Sequence, residues 1–541
     1  MDREQFRKAA YQAVDRICDY FEDIESYDVV PDVQPGDIAK LIAKKAPARG
    51  EPWEAISNDF DRVILPGITH WQHPNFFAYF PANTTYECIL ADMYAGAVSN
   101  PGFNWLCSPA CTELESVVMD WVAKLLGLDE TWWNEGKVAG GVIQGSAHES
   151  LLTVCTAARK RYLTLNPDSN LEDLVIVGTT QTHSLGAKAA LVLGLSFHAV
   201  ETKAEDNWGL RGKALRDELE KLKADGKRPF ILIATLGSTS TGAIDNLPEI
   251  TAVTADYPDL FLHVDAAWAG VFLALPECRK EAHLDMINGR ATGGREANGV
   301  PARPARGEVH SFCTNLHKSG LVTLDASTLW VRDRALLTSA LDVTPPYLRT
   351  PQSTSNANLD SDFRNMQLAL GRRFRSLKVW FTLRSYGSEG FQAHFRRLIG
   401  LGQVFEGLVL GSARGGEGEG LEGVELFTPR RFSLVVLRVR STLKQEERDR
   451  ATSSKKEEGN TFDLLKYENA LNASLIRIAN TDRSLLLTPT TVGGYNCVRI
   501  ALGGPFVEKR HLEGLVGKLR IMVRQAREEM VESQDGEAYT R

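Results

Sequence analysis

Four short apolar runs, at residues 174–177, 230–234, 260–264 and 327–331, set the rhythm of the chain between about 81 and 390. They do not alternate with polar positions: Phe230-Ile231-Leu232-Ile233-Ala234 is apolar throughout, and so is Leu174-Val175-Ile176-Val177. A strand with one face in water alternates. Unbroken runs therefore predict strands covered on both faces, in a mostly parallel sheet with helices on each side. Segments of helical period lie between them, as in Glu149-Ser150-Leu151-Leu152-Thr153-Val154-Cys155. Near the start, Phe6, Ala10, Ala13, Ile17 and Tyr20-Phe21 recur close to helical spacing, and Pro31 and Pro35 break the pattern. Such a helix has no core of its own, and it either packs on a partner subunit or stands as a solvated arm. Beyond about 391 the pattern changes to α+β. Phe432-Ser433-Leu434-Val435-Val436-Leu437-Arg438-Val439 alternates in part, and the tail from Glu508 reads as a helix fraying into polar residues. The expected organisation is a helical arm over 1–80, an α/β domain over 81–390 and a smaller α+β domain over 391–541. The stretches 287–308 and 441–461 carry little apolar content and are expected to be mobile surface insertions.

Composition narrows the function classes. A net charge of −7 disfavours a nucleic-acid partner. No apolar run approaches the roughly 20 residues that span a bilayer, and the start, Met1 to Lys8, lacks the apolar stretch of a signal peptide. Eight cysteines without paired spacing are expected to be buried reduced thiols. The expectation is a cytoplasmic protein with no membrane and no nucleic-acid partner.

The candidate chemistry gathers at strand ends, where ligands collect in sheets of this kind. His263-Val264-Asp265-Ala266-Ala267 puts a carboxylate at the end of one apolar run, and Ser311-Phe312-Cys313-Thr314-Asn315-Leu316-His317-Lys318-Ser319 puts a lysine at the end of another. A lysine amine that condenses with an aldehyde, and a carboxylate that keeps a pyridine nitrogen protonated, suit pyridoxal 5′-phosphate. Gly140-Gly141-Val142-Ile143-Gln144-Gly145-Ser146-Ala147-His148 reads as a small-residue turn feeding a helix N-terminus, which offers backbone N–H groups to a phosphate. Thr182-His183-Ser184 and Thr235-Leu236-Gly237-Ser238-Thr239 follow two further runs; the histidine could stack on the ring and Thr239 could give it a hydroxyl. His263 and Asp265 are spaced to share a strand face, but no third ligand at suitable spacing accompanies them, so no metal is expected.

These strings resemble the aromatic-L-amino-acid decarboxylases, the group II pyridoxal-phosphate decarboxylases of aminotransferase-like fold (fold type I). The resemblance covers most of the chain and extends to His73-Pro74-Asn75-Phe76-Phe77-Ala78-Tyr79-Phe80-Pro81, Ser108-Pro109-Ala110-Cys111-Thr112-Glu113-Leu114-Glu115 and Gly371-Arg372-Arg373-Phe374-Arg375-Ser376-Leu377-Lys378. It implies that Lys318 carries the cofactor, Asp265 pairs with its ring nitrogen, Ala267 lies beneath the ring and His183 stacks above. Ser146, Ala147, His148, Thr239, Asn315 and His317 would line it, mainly at the phosphate. Leu370 and Gly371 would come from a neighbouring subunit, which implies a homodimer with shared active sites. Arg372, Arg373 and Arg375 are expected to have a structural role at that interface.

By the same resemblance, Tyr347 in Thr344-Pro345-Pro346-Tyr347-Leu348-Arg349 sits on a flexible lid over 342–360 and protonates Cα once CO2 has left. Relatives with phenylalanine there tend toward an oxygen-consuming reaction that yields an aldehyde. Tyr79, Phe80, Pro81, Ala82 and Phe103, with His183, match a substrate wall suited to an aromatic side chain. Ala369, where plant relatives carry a small residue or a serine, leans toward tryptophan or 5-hydroxytryptophan. Three departures stand out: Leu316 in place of proline, Ser319-Gly320 in place of tryptophan after the lysine, and His148 in place of a small residue. The implied activity is decarboxylation of an aromatic L-amino acid to its monoamine. An aromatic acetaldehyde synthase and a non-catalytic member of the family are the alternatives.

Overall fold

The computed structural model describes residues 1–289, 307–350, 362–412, 418–442 and 463–534. Most of the stretches 287–308 and 441–461, part of the loop after Tyr347 and the last seven residues lie outside them. The described residues form two compact units, one of residues 82–402 with 428–434, the other of residues 1–81, 403–427 and 435–541.

The first unit is built on a seven-stranded sheet: β1 (Gly140–Gln144), β2 (Leu174–Thr179), β3 (Ser196–Val200), β4 (Arg228–Thr235), β5 (Phe261–Asp265), β6 (Ser311–Asn315) and β7 (Ser327–Val331). Their spatial order is β1-β7-β6-β5-β4-β2-β3. β7 runs antiparallel to both neighbours and the remaining pairs are parallel, so β1 through β6 all end at one edge. Residues Phe230 to Ala234 of β4 are completely buried, which the unbroken apolar run required. The helix Ala147–Leu165 lays Leu151, Val154 and Ala158 against Ile176, Ile231 and Phe261, and Leu185 and Ala189 of the helix Leu185–Leu193 join the same core. The helix Gly212–Ala224 buries Leu215, Leu219 and Leu222, one stripe at i, i+4, i+7, and leaves its charged face outside. The fold is the α/β arrangement of fold type I. One expectation needs correction. Gly140 to Gln144, read as part of a turn, is strand β1, with every residue buried. Gly141 is needed there because a Cβ would stand 2.7 Å from the indole of the buried Trp330, so the glycines that resembled a loop are close-packing positions.

The second unit holds β8 (Val424–Leu426), β9 (Leu434–Val439), β10 (Thr488–Val492) and β11 (Tyr495–Ala501), in the order β10-β11-β9-β8. The helix Leu464–Ala479 buries Leu471, Asn472 and Leu475, and its Asn472 bonds the backbone of Val439 in both directions at 2.9 Å. The N-terminal segment belongs to this unit through main-chain bonds, Val30 to Arg483 at 3.1 Å and Phe77 to Leu486 at 3.2 Å. Its first helix, Arg3–Glu22, opens on a capping box between Asp2 and Gln5. Phe6, Tyr11 and Val14 stay exposed, and Ala9 alone of its residues is buried. No helix among the described residues is long and apolar enough to cross a membrane.

Candidate active site

The C-terminal edge of the seven-stranded sheet collects six loop starts. Asp265 is the last residue of β5 and is 5% exposed. Its backbone oxygen accepts from Leu236, the residue after β4, at 2.9 Å, and its carboxylate Oδ1 accepts from the Ala267 N–H at 3.0 Å. β6 ends at Asn315, whose N–H donates to the Ala267 oxygen at 2.9 Å. Three residues on, Lys318 sits in a turn closed by its N–H on the Asn315 oxygen at 3.3 Å. Two bonds pin this turn: His317 Nδ1 accepts from Ala326 at 2.9 Å and the His317 oxygen accepts from Asn83 at 3.2 Å. Burial holds His317 down at about 4, so it stays a neutral acceptor.

At the end of β1, Ser146 caps the helix Ala147–Leu165, its Oγ accepting from Glu149 at 3.3 Å. Among the described residues, Ser146 takes the N–H groups of both Glu149 and Ser150, which leaves those of Ala147 and His148 to meet an anion. His148 and His183 meet edge to face, with ring centroids 5.2 Å apart. Burial lowers the His148 pKa, Lys188 and Lys318 push the same way, and Asp265 opposes them. The fields of Asp265 and Lys318 thus reach one imidazole, and the site's acid, amine and two histidines share one neighbourhood. The Asn315 side-chain oxygen is buried there with no hydrogen-bond partner among the described residues. An orphaned acceptor at the mouth of a site is costly without a ligand or water to meet it. An amine, a carboxylate and an open helix N-terminus at one sheet edge, with that acceptor, fit a phosphorylated pyridine aldehyde.

Other expected residues sit differently. Tyr347 lies on a single turn, Pro346–Leu348, and is 79% exposed. Ala369, Leu370 and Gly371 are exposed as well. Phe103 is half-buried, and its oxygen accepts from Arg364 at 3.4 Å. Tyr79 and Phe80 belong to the other unit. There Tyr79 takes a positive φ of 53° and stacks on Trp71, with centroids 5.6 Å apart, while the Arg499 guanidinium lies 5.0 Å from the Phe80 ring centroid. The departures around Lys318 are absorbed locally. Ser319 is buried and its oxygen lies 3.1 Å from the His394 ring, while a Cβ at Gly320 would stand 2.6 Å from the Leu316 oxygen. Arg372 is buried against Glu115, and Arg373 and Arg375 both bond Asp325, at 3.0 and 2.8 Å. The cross-strand neighbours of Asp265 on β6 were not singled out from sequence. Cys313 looked there like any buried thiol.

A sheet of this topology with a lysine and a carboxylate at adjacent strand ends defines a pyridoxal-phosphate enzyme. The chain belongs to the pyridoxal-dependent decarboxylase family, whose conserved domain matches residues 35–415, and it is a pyridoxal-phosphate-dependent carboxy-lyase. It is 35% identical over 523 residues to tryptophan decarboxylase 2 of Oryza sativa subsp. japonica, covering 96% of this chain and 95% of that one. It is 37% identical over 516 residues to the phenylacetaldehyde synthase of Arabidopsis thaliana, covering 95% and 94%. Among solved structures, the Oryza sativa tryptophan decarboxylase with pyridoxal phosphate and tryptamine matches with a TM-score of 0.84 at 30% identity, over 97% of this chain and 99% of that one.

Proposed function

We propose that the enzyme decarboxylates an aromatic L-amino acid to its monoamine in a homodimer with shared sites. The observation that carries this is the sheet edge where Asp265, Lys318, Asn315 and the His148–His183 pair come together. Lys318 would hold the cofactor through its amine and Asp265 would keep the ring nitrogen protonated. His183 would stack on the ring, with Ala267 beneath. The N–H groups at Ala147 and His148, with Ser146, Thr239 and His317, would anchor its phosphate. The bound cofactor supplies an electron sink for the pair left on Cα when CO2 departs.

The remaining work falls to side chains. Tyr347 would return a proton to Cα from its phenol oxygen; its exposed position means that its segment must close over bound substrate first. Tyr79, Phe80, Pro81, Ala82 and Phe103 would wall the aromatic side chain, and Ala369 favours an indole over a phenol. A second subunit has surface to meet. Tyr86, Leu90, Tyr94 and Val98 form an exposed stripe at i+4 spacing on the helix Tyr86–Val98, and Phe6, Tyr11 and Val14 of the first helix are uncovered too. The arm over 1–80 would help form the dimer, and Leu370 and Gly371 would complete the partner's site.

The likeness to a decarboxylase and to an aldehyde synthase is of similar degree, so the product must be measured. Mass spectrometry on loaded enzyme given L-tryptophan, L-tyrosine, L-phenylalanine and their hydroxylated forms should find monoamine and CO2, with tryptophan or 5-hydroxytryptophan turned over fastest. Aldehyde with peroxide would refute the role of Tyr347. Faster turnover of tyrosine would refute the role of Ala369.

A further inference from the structure

Behind Asp265, three buried side chains form a chain that the proposed chemistry does not use. β5 and β6 run parallel with His263 opposite Ser311 and Asp265 opposite Cys313. Residues two apart on a strand share a face, so all four side chains stand in one block between neighbouring strands. His263 and Ser311 are fully buried and Cys313 is 1% exposed. Ser311 Oγ lies 2.7 Å from His263 Nδ1, His263 Nε2 lies 3.6 Å from Cys313 Sγ, and Cys313 Sγ lies 3.8 Å from Asp265 Oδ1.

Hydrogen-bond inventory gives this chain one direction. An ionised carboxylate only accepts, so Cys313 must donate its S–H. The sulfur then receives the His263 Nε2–H, which leaves Nδ1 bare to accept the Ser311 hydroxyl. The protonation states agree. Burial raises the Cys313 thiol well above its ordinary value and holds His263 down at about 4, so at neutral pH the thiol keeps its proton and the imidazole is neutral.

The geometry points to Ser311, His263 and Cys313 as a positioning relay that fixes the Asp265 carboxylate for the cofactor's ring nitrogen. Two donors, the Ala267 N–H and the Cys313 S–H, converge on Oδ1. That clamps the rotation of the carboxylate and makes its other oxygen the one available to the ring. A thiol is a weak donor, yet a bond to a fixed, buried carboxylate is lost outright if its donor is removed.

The inference rests on the reading of Asp265 as partner of the ring nitrogen, and the test separates the two. Apo-protein would be titrated with pyridoxal phosphate and with the analogue whose ring nitrogen is replaced by CH, following quenching of tryptophan fluorescence. Wild type should bind the natural cofactor more tightly than the analogue. Cys313→Val, which keeps an apolar group of similar size without a donor, should weaken only the natural cofactor, by about threefold to tenfold. Cys313→Ser should recover much of the difference. If Cys313→Val does not fold, as judged by its melting curve, Cys313→Ala carries the same comparison. Equal weakening of both ligands, or of neither, would overturn the relay. A wild type that binds both ligands alike would overturn the role of Asp265 itself.

Discussion

Replacing Arg372 by methionine removes a guanidinium that the fold has sealed in, and the cost can be worked from its contacts. Both side chains of the Arg372–Glu115 pair are 1% exposed. Arg372 also donates to Gln367 at 2.6 Å and to the Phe363 oxygen at 3.4 Å, and its guanidinium lies 5.1 Å from the centroid of the Phe363 ring. Glu115 has one further donor, the Ile143 N–H at 2.8 Å, and its Oε2 has no hydrogen-bond partner among the described residues. Without the arginine, a buried carboxylate keeps a single backbone donor. Breaking such a pair from one side costs about 3–5 kcal/mol, because the stranded charge has no compensation. That is roughly a hundredfold to several-thousandfold in the ratio of folded to unfolded protein. Replacing both partners, Arg372→Met with Glu115→Gln, should recover most of it, since a neutral amide can still accept from Ile143. The assay is urea denaturation of the wild type, both single variants and the double variant, read as a thermodynamic cycle. A loss below about 1 kcal/mol in the Arg372→Met variant, or a double variant as unstable as the sum of the singles, would refute the reasoning. Because Glu115 holds Ile143, two residues before the Gly145–Ser146 loop proposed to meet the phosphate, the Arg372→Met variant should also retain cofactor less well.

Lys318→Ala should abolish borohydride-stable labelling of the protein by pyridoxal phosphate, checked by intact mass; a persisting label would place the covalent link elsewhere. Tyr347→Phe should shift the product from amine toward aldehyde and peroxide, and an unchanged product ratio would remove that residue from proton return. Stability should fall on acidification. Burial holds His263 and His394 at about 4 against an ordinary 6.5. With folded pKa values depressed, their contribution is complete above pH 6.5 and is lost as pH falls through about 4, near 1.4 kcal/mol per pH unit for each group. Urea midpoints that stay flat from pH 7 to 5 would contradict this.

The largely apolar runs made β2, β4, β5 and β7 legible: β2 and β4 carry theirs without interruption, β5 admits His263, and β7 opens on Ser327 and Thr328. β1 escaped notice because two of its five residues are glycines, chosen for close approach rather than for strand preference. The union of residues 1–81 with the C-terminal sheet was not legible either. Its bonds join residues more than 400 positions apart, as between Tyr79 and Thr488, and no local pattern records such a partner. Asp265 and Lys318 stood out because ionisable groups ending apolar runs are expensive without a purpose. Cys313 and Ser311 are ordinary tenants of a buried strand, and only the register that sets them beside Asp265 and His263 gives them meaning.

The place of β1 in the sheet has a consequence in time. It is the first strand of the seven to leave the ribosome, yet in the finished sheet it pairs with β7, the last, and with no other strand. Until Ser327 to Val331 have been made, the strand that leads into the Gly145–Ser146 loop has no edge to lie against. Loop closure on that scale must precede its reward. The loop at the end of β1, and any site built on it, must therefore wait to be ordered until the last strand of the sheet has been made.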